Sequence, residues 1–383
     1  MKTILFLHAG AELYGADRIL LNLVTELNPH EFHPIVVLPT RGPLVDELRQ
    51  RHIEVHIIDY PILRRKYFNP RGMLRYLKQY RHSCRQIFAL LKQQNVSIIH
   101  ANTLAVLEGI YLKRLLRAKL VWHVHEIITC PRIAFLVTSF AVGRFANQIV
   151  AVSKEVRDHL VSSKLVNPRK IRVVYNGVDT EKFRPMPVSA NLRAEFQVHT
   201  DAIVIGMVGR INAWKGQTTL LQAMIPLLKS NPKLKLIFIG GVFAGEEKRK
   251  QDLETAIAGS QVANQIVLKD FRNDLPSVYH LFDVFVLPST NPDPLPTVVL
   301  EAMAAGKPIV GFRQGGVIEM VQEGLNGFLA TPIDVGELTQ CIQKLVDSAD
   351  LRSRMGAASR ARAIRCYSPQ KFIRAFEDIY NQQ

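Results

Sequence analysis

The sequence predicts an α/β protein with two doubly wound parallel sheets in succession. Three observations carry this. Short runs rich in Val, Ile and Leu alternate with amphipathic segments from end to end, the pattern of parallel strands covered on both faces by helices. The alternation happens twice, on either side of a looser stretch, DTEKFRPMPVSANLRAEFQVHT, that carries two prolines. The chain has 383 residues, a length for two domains.

The first series of strands reads TILFLH, HPIVVLP, EVHIID, SIIHA, KLVWHVH, QIVAVS and IRVVYNG. After residue 200 come AIVIGMVGR, LKLIFIGG, QIVLKDF, VFVLPS and PIVGF. Between them lie helical patterns such as ADRILLNLVTEL, QTTLLQAMIPLLKS and VGELTQCIQKLVDSA. The expected division is 1–185, 186–365, and a final helix within 366–383 that follows a Ser-Pro start and returns towards the first domain. Two such domains would face each other across a cleft. Ligands of open α/β sheets sit outside the carboxyl ends of the strands, near helix N-termini. Strand-to-helix loops are therefore the place to look for chemistry.

Composition is that of a globular enzyme, 48% hydrophobic and 21% charged. MKTILFLHAGAEL reads as a first buried strand, because its apolar run is short and Glu12 follows at once. The stretch IAFLVTSFAVG at 133–143 is too short to span a bilayer. Cys84, Cys130, Cys341 and Cys366 share no metal-ligand spacing and read as free thiols of a reducing cytoplasm. The net charge of +16 is uneven: residues 1–180 hold 26 Lys and Arg against 13 Asp and Glu. No acid occurs between Tyr60 and Leu107. A solvated helix face and an anionic partner both fit that window: a phospholipid surface, a lipid-phosphate acceptor or nucleic acid. Nucleic acid is disfavoured, since no aromatic-rich stacking segment or known binding motif accompanies the charge.

GMVGRINAWKGQTTLLQA (206–223) leaves an apolar strand, passes Arg210 and reaches Lys215 and Gly216 as a helix begins. Two cations framing such a loop can neutralise a diphosphate; a capping loop with incidental surface charge is the plainer alternative. Gly216 permits close approach of the backbone. No G-x-G-x-x-G follows any predicted strand, which counts against a nicotinamide enzyme. In HAGAELYGADRILL, Gly10 and Gly15 could admit a phosphate or sugar, but taken alone the loop reads better as an ordinary turn with Asp17 near the helix start. VWHVHEI places His123, His125 and Glu126 at a strand end, with both histidines on one side. Positioning a hydroxyl suits them better than a metal, since no third ligand is local.

NPDPLPTVVLEAMAAGKP (291–308) holds two carboxylates: Asp293 in a proline-stiffened loop, and Glu301 in a helix that starts at Thr297 and that Gly306 and Pro308 stop. With ELYGADRILLNL, VWHVHEI, AVSKEVRDHL, VYNGVDTEKFRP, VGRINAWKGQTTLLQA, DVFVLPS, LPTVVLEAMAAGKPIV and GGVIEMVQEGLNGFL in this order, the chain resembles the retaining GT-B glycosyltransferases of family 4.

The resemblance implies transfer of a sugar from a nucleoside diphosphate to an acceptor hydroxyl with retained configuration, in cell-surface polysaccharide or glycolipid synthesis. It gives the ribose hydroxyls to Glu301 and the donor sugar's hydroxyls to Asp293, where the family usually has Glu. It gives the diphosphate to Arg210 and Lys215, the reacting sugar to His125, and the donor phosphates also to the Gly15 loop. Leu295, Pro296 and Thr297 line the donor at the helix start. It implies no cofactor and no metal, and a cytoplasmic protein. The nine Lys and Arg of residues 64–92, with no acid among them, fit a patch that meets an anionic membrane surface or a lipid-linked acceptor, and equally a basic but idle face. A non-catalytic nucleotide-sugar-binding subunit and a nucleotide-sugar epimerase are the rival readings.

Overall fold

The structure, a computed structural model, describes every residue except Ala244, and for Arg65 only the backbone. Among the described residues, thirteen strands form two sheets, each paired in parallel throughout. The chain separates into two compact units. One takes Met1–Gly177 and Gln370–Gln383; the other takes Val178–Pro369. The sequence reading put the joins near 185 and 365; the units divide at 177/178 and 369/370.

The strands of the first unit are β1 (Lys2–Leu7), β2 (Phe32–Leu38), β3 (Glu54–Ile57), β4 (Val96–Ala101), β5 (Lys119–Val124), β6 (Gln148–Ala151) and β7 (Ile171–Val173). Their order is β3-β2-β1-β4-β5-β6-β7. Leu5 of β1 pairs with Ile35 of β2 on one side and Ile99 of β4 on the other. Order therefore reverses between β1 and β4, and loops leaving those two strands diverge there. The last helix, Pro369–Asn381, belongs to this unit. It buries Phe372, Ile373, Phe376, Ile379 and Tyr380 in the same core as Ile4, Phe6 and Phe32, an amphipathic face at helical spacing.

The strands of the second unit are β8 (Ile203–Val208), β9 (Leu234–Ile239), β10 (Ile266–Lys269), β11 (Val284–Leu287), β12 (Ile309–Phe312) and β13 (Gly327–Ala330). Their order is β10-β9-β8-β11-β12-β13, so the reversal falls between β8 and β11. The sequence reading missed β13, four residues that begin with glycine. It pairs Gly327 with Ile309, and a Cβ on Gly327 would lie 2.0 Å from the Ile309 carbonyl. That strand is specified by its neighbour rather than by its own residues. The stretch 133–143 lies in a helix, Arg132–Phe145. Among the described residues no helix is long and apolar enough to cross a membrane.

Candidate functional site

In the second unit the expected residues gather at the reversal between β8 and β11. Arg210 follows β8, and the next helix, Gln217–Ser230, starts after a left-handed Gly216. A Cβ at Gly216 would lie 2.0 Å from the Pro288 carbonyl, so glycine brings this loop against the end of β11. Asn212 shapes the loop: its Oδ1 accepts from the N–H groups of Trp214 at 3.1 Å and Lys215 at 2.8 Å. Gln217, at the helix start, donates from Nε2 to the Gly209 and Arg210 carbonyls. Thr290 N–H donates to the Trp214 carbonyl at 2.7 Å, joining the β8 and β11 loops.

The two cations take different partners. Lys215 Nζ donates to Asp293 Oδ2 in an ion pair that is largely shielded from solvent. The guanidinium of Arg210 lies over the Phe243 ring, 3.5 Å from Cζ to the centroid, a cation–π contact. Phe243 lies beyond β9, and no sequence signal pointed to it.

Asp293 is 9% and Glu301 8% exposed, so both carboxylates are inward. The loop that carries Asp293 rests on the Gly315–Gly316 turn. Gly315 is left-handed, with Asp293 backbone within 2.6 Å of where a Cβ would be, and Gly316 N–H donates to the Asp293 carbonyl at 2.7 Å. Leu295 is buried, Pro296 caps the helix, and Thr297 begins it. Within that helix Glu301 Oε2 accepts the Tyr279 hydroxyl at 2.8 Å. Tyr279, 22 residues earlier, was not foreseen. A cavity of about 480 Å³ opens beyond β9 and β10, lined by residues that include Gly241, Val242, Glu254, Asp270 and Phe271.

In the first unit the expected residues follow β1 and β5, the two strands that flank β4. Gly15 is the first residue of the helix Gly15–Glu26. Asp17 accepts from the Tyr14 N–H at 2.9 Å and from His8 Nε2 at 2.7 Å. The rings of His123 and His125 do share one side, centroids 4.0 Å apart. Beside them Glu126 accepts from the Thr103 hydroxyl and from the N–H groups of Leu104 and His125. Burial holds the His125 ring far below its ordinary range, at about 3, and pushes the Glu126 carboxyl up. His125 is therefore neutral at physiological pH, a hydrogen-bonding ring rather than a standing cation.

Two family models match the chain. Residues 14–182 match Glycosyltransferase Family 4, and residues 188–362 match Glycosyl transferases group 1. Spore coat protein SA of Bacillus subtilis is 29% identical over 245 residues, 61% of this chain and 65% of that protein. The capsular polysaccharide biosynthesis glycosyltransferase CapM of Staphylococcus aureus is 29% identical over 243 residues, 62% of each. Each match takes in less than two thirds of the relative's own length. Crystal structures of Anabaena HepE with UDP and with UDP-glucose align over 100% of both chains, at 25% identity and TM-scores of 0.87 and 0.86.

Proposed function

Because the chain belongs to the family 4, group 1 glycosyltransferases, we propose that it moves a sugar from a nucleoside-diphosphate donor to an acceptor hydroxyl, with retained configuration. One observation carries this reading: two cations and two inward carboxylates, Arg210, Lys215, Asp293 and Glu301, all follow β8 and β11 at the reversal of one sheet. Cations there stabilise the charge that develops on a leaving diphosphate. A carboxylate accepts hydrogen bonds from ribose or sugar hydroxyls, the roles given to Glu301 and Asp293. His125 serves the reacting sugar, and the Gly15 helix start serves the phosphates. Uridine diphosphate is the nucleotide of first choice, supported by the UDP and UDP-glucose complexes of HepE. The cavity beyond β9 and β10 takes the base, with Phe271 as a face to stack on. The match to CapM supports a role in surface-polysaccharide assembly.

Arg210 and Lys215 balance the diphosphate without a metal ion, so turnover should persist in excess EDTA. The same reading extends to the acceptor side. The helix Pro70–Leu91 exposes Arg71, Arg75, Lys78, Arg81 and Arg85, and Leu74 between them is 71% exposed. That combination of cations and apolar side chains fits an anionic membrane surface or a lipid-linked acceptor. Calorimetric titration with UDP, ADP and GDP, followed by mass spectrometry of UDP-sugar reactions, tests the central claim. Saturable binding of one diphosphate and its release from the matching sugar nucleotide are expected. Absence of binding to all three would overturn it.

A further inference from the structure

Asn102 follows β4 at the centre of the first sheet and is fully buried. Its backbone N–H donates to the Leu7 carbonyl at 2.9 Å, which fixes it beside the end of β1. Its side chain then meets four imidazoles. Nδ2 lies 3.0 Å from His8 Nδ1. Oδ1 lies 3.3 Å from His100 Nε2, 3.1 Å from His123 Nδ1 and 3.2 Å from His125 Nε2.

An amide offers two N–H donors and one oxygen with two lone pairs. Nδ2 donates to His8 Nδ1, so His8 carries its proton on Nε2 and gives it to Asp17. His100 Nε2 faces Asn102 Oδ1, an oxygen that can only accept, so His100 carries its proton on Nε2. Its Nδ1 then accepts from the Tyr380 hydroxyl, on the last helix, at 2.7 Å. One lone pair of Oδ1 remains for His123 Nδ1 and His125 Nε2, which are themselves 3.2 Å apart. One of these nitrogens must be the donor and the other the acceptor. His123 Nε2 decides between them. It is buried with no hydrogen-bond partner, on a ring whose centroid is 4.9 Å from that of Phe376. An orphaned buried N–H is rarer and costlier than an orphaned lone pair. His123 thus carries its proton on Nδ1, His125 accepts at Nε2, and the proton of His125 sits on Nδ1.

The geometry points to Asn102 as a positioning residue that, through His123, fixes His125 in the neutral Nδ1–H form, a hydrogen-bond donor to a substrate oxygen rather than a base. This rests on the reading that His125 serves the reacting sugar. The groups around the ring are arranged to keep it neutral. Asp17 is engaged by His8, and Glu126 by Thr103 and two backbone N–H groups. His100 and His123 are themselves uncharged, both held low by burial. The last helix contributes Tyr380 and Phe376, so it holds the histidine array as well as filling the core.

Long-range ¹H–¹⁵N correlation spectra of the full chain at pH 7, with His125→Gln to assign the ring, read the tautomer directly. Nδ1–H in the native protein and its loss in Asn102→Leu are the expected results. Asn102→Asp, nearly isosteric, should let a neighbouring imidazole charge near neutral pH and give turnover a new pH dependence. Both variants should lower kcat about 10- to 100-fold, the scale of lost orienting partners, with donor KM and UDP affinity little changed. Nε2–H in native His125, or an unchanged signature in Asn102→Leu, overturns the inference. The tautomer readout needs no turnover. If it comes out as expected in a protein that binds no nucleoside diphosphate, the transferase reading fails and the role of Asn102 stands.

Discussion

Lys215 and Asp293, 78 residues apart, form an ion pair at the reversal between β8 and β11. The pair joins the residue expected to hold a diphosphate to the residue expected to hold the sugar. A shielded carboxylate competes with phosphate for the ammonium. Asp293→Asn should therefore tighten UDP several-fold while lowering sugar transfer. Calorimetry with UDP beside a transfer assay checks this; weaker UDP binding in Asp293→Asn would contradict it.

Arg210→Ala and Lys215→Ala should each cost roughly 2–4 kcal/mol in turnover, the scale of one lost preorganised donor. Circular dichroism should show both variants folded. Wild-type turnover in both would remove these residues from the diphosphate.

Glu301→Gln should weaken donor binding more than acceptor binding, since an amide oxygen replaces a two-oxygen acceptor. Tyr279→Phe, which removes the hydroxyl that Glu301 accepts, should do so more mildly. An unchanged donor Kd in Glu301→Gln would take the ribose away from this residue.

Glu108 is fully buried, and the backbone N–H groups of Leu107 and Glu108 offset only part of the cost of burying its charge. Burial pushes its carboxyl from 4.5 to about 8. Between those values the folded chain holds a proton that the unfolded chain has released, so stability falls as pH rises through that window. Glu108→Gln, close to the protonated acid in shape, should be near neutral at pH 5 and stabilising above pH 8. Urea unfolding at both pH values measures it; equal effects would place the proton elsewhere.

His100 runs the other way. Burial lowers its ring from 6.5 to about 3, so between those values the unfolded chain binds a proton that the folded chain refuses. Stability is present above pH 6.5 and is lost as pH falls towards 3. Tyr380→Phe, which removes the hydroxyl donor to His100 Nδ1, should lower overall stability by about 1 kcal/mol. Unfolding titrations from pH 7 to 4 report both effects.

The basic helix Pro70–Leu91 should carry the chain to anionic vesicles at low salt. Each exposed cation contributes about 1 kcal/mol near such a surface, and screening by salt should reverse the binding. Charge reversal at Arg75, Lys78 and Arg81 should abolish pelleting with phosphatidylserine liposomes. Equal pelleting with neutral vesicles would reject an electrostatic membrane partner.

The sequence by itself determined what is local. Val/Ile/Leu runs marked twelve of the thirteen strands described, since a strand buried on both faces needs continuous apolar residues. Helix stops such as Gly306 were legible for the same reason: its backbone is left-handed, with φ +73°. So was the concentration of charged residues in loops after strands. Only the tertiary structure decided who meets whom. Lys215 with Asp293, Glu301 with Tyr279, Arg210 with Phe243, and Tyr380 with His100 across 280 residues leave no local periodicity to read. Asn102 is the sharpest case: an unremarked residue in SIIHANT becomes the centre of four imidazoles because the reversal of strand order sets the end of β4 beside those of β1 and β5. Such contacts depend on strand order, which long-range packing sets and no short window of sequence contains.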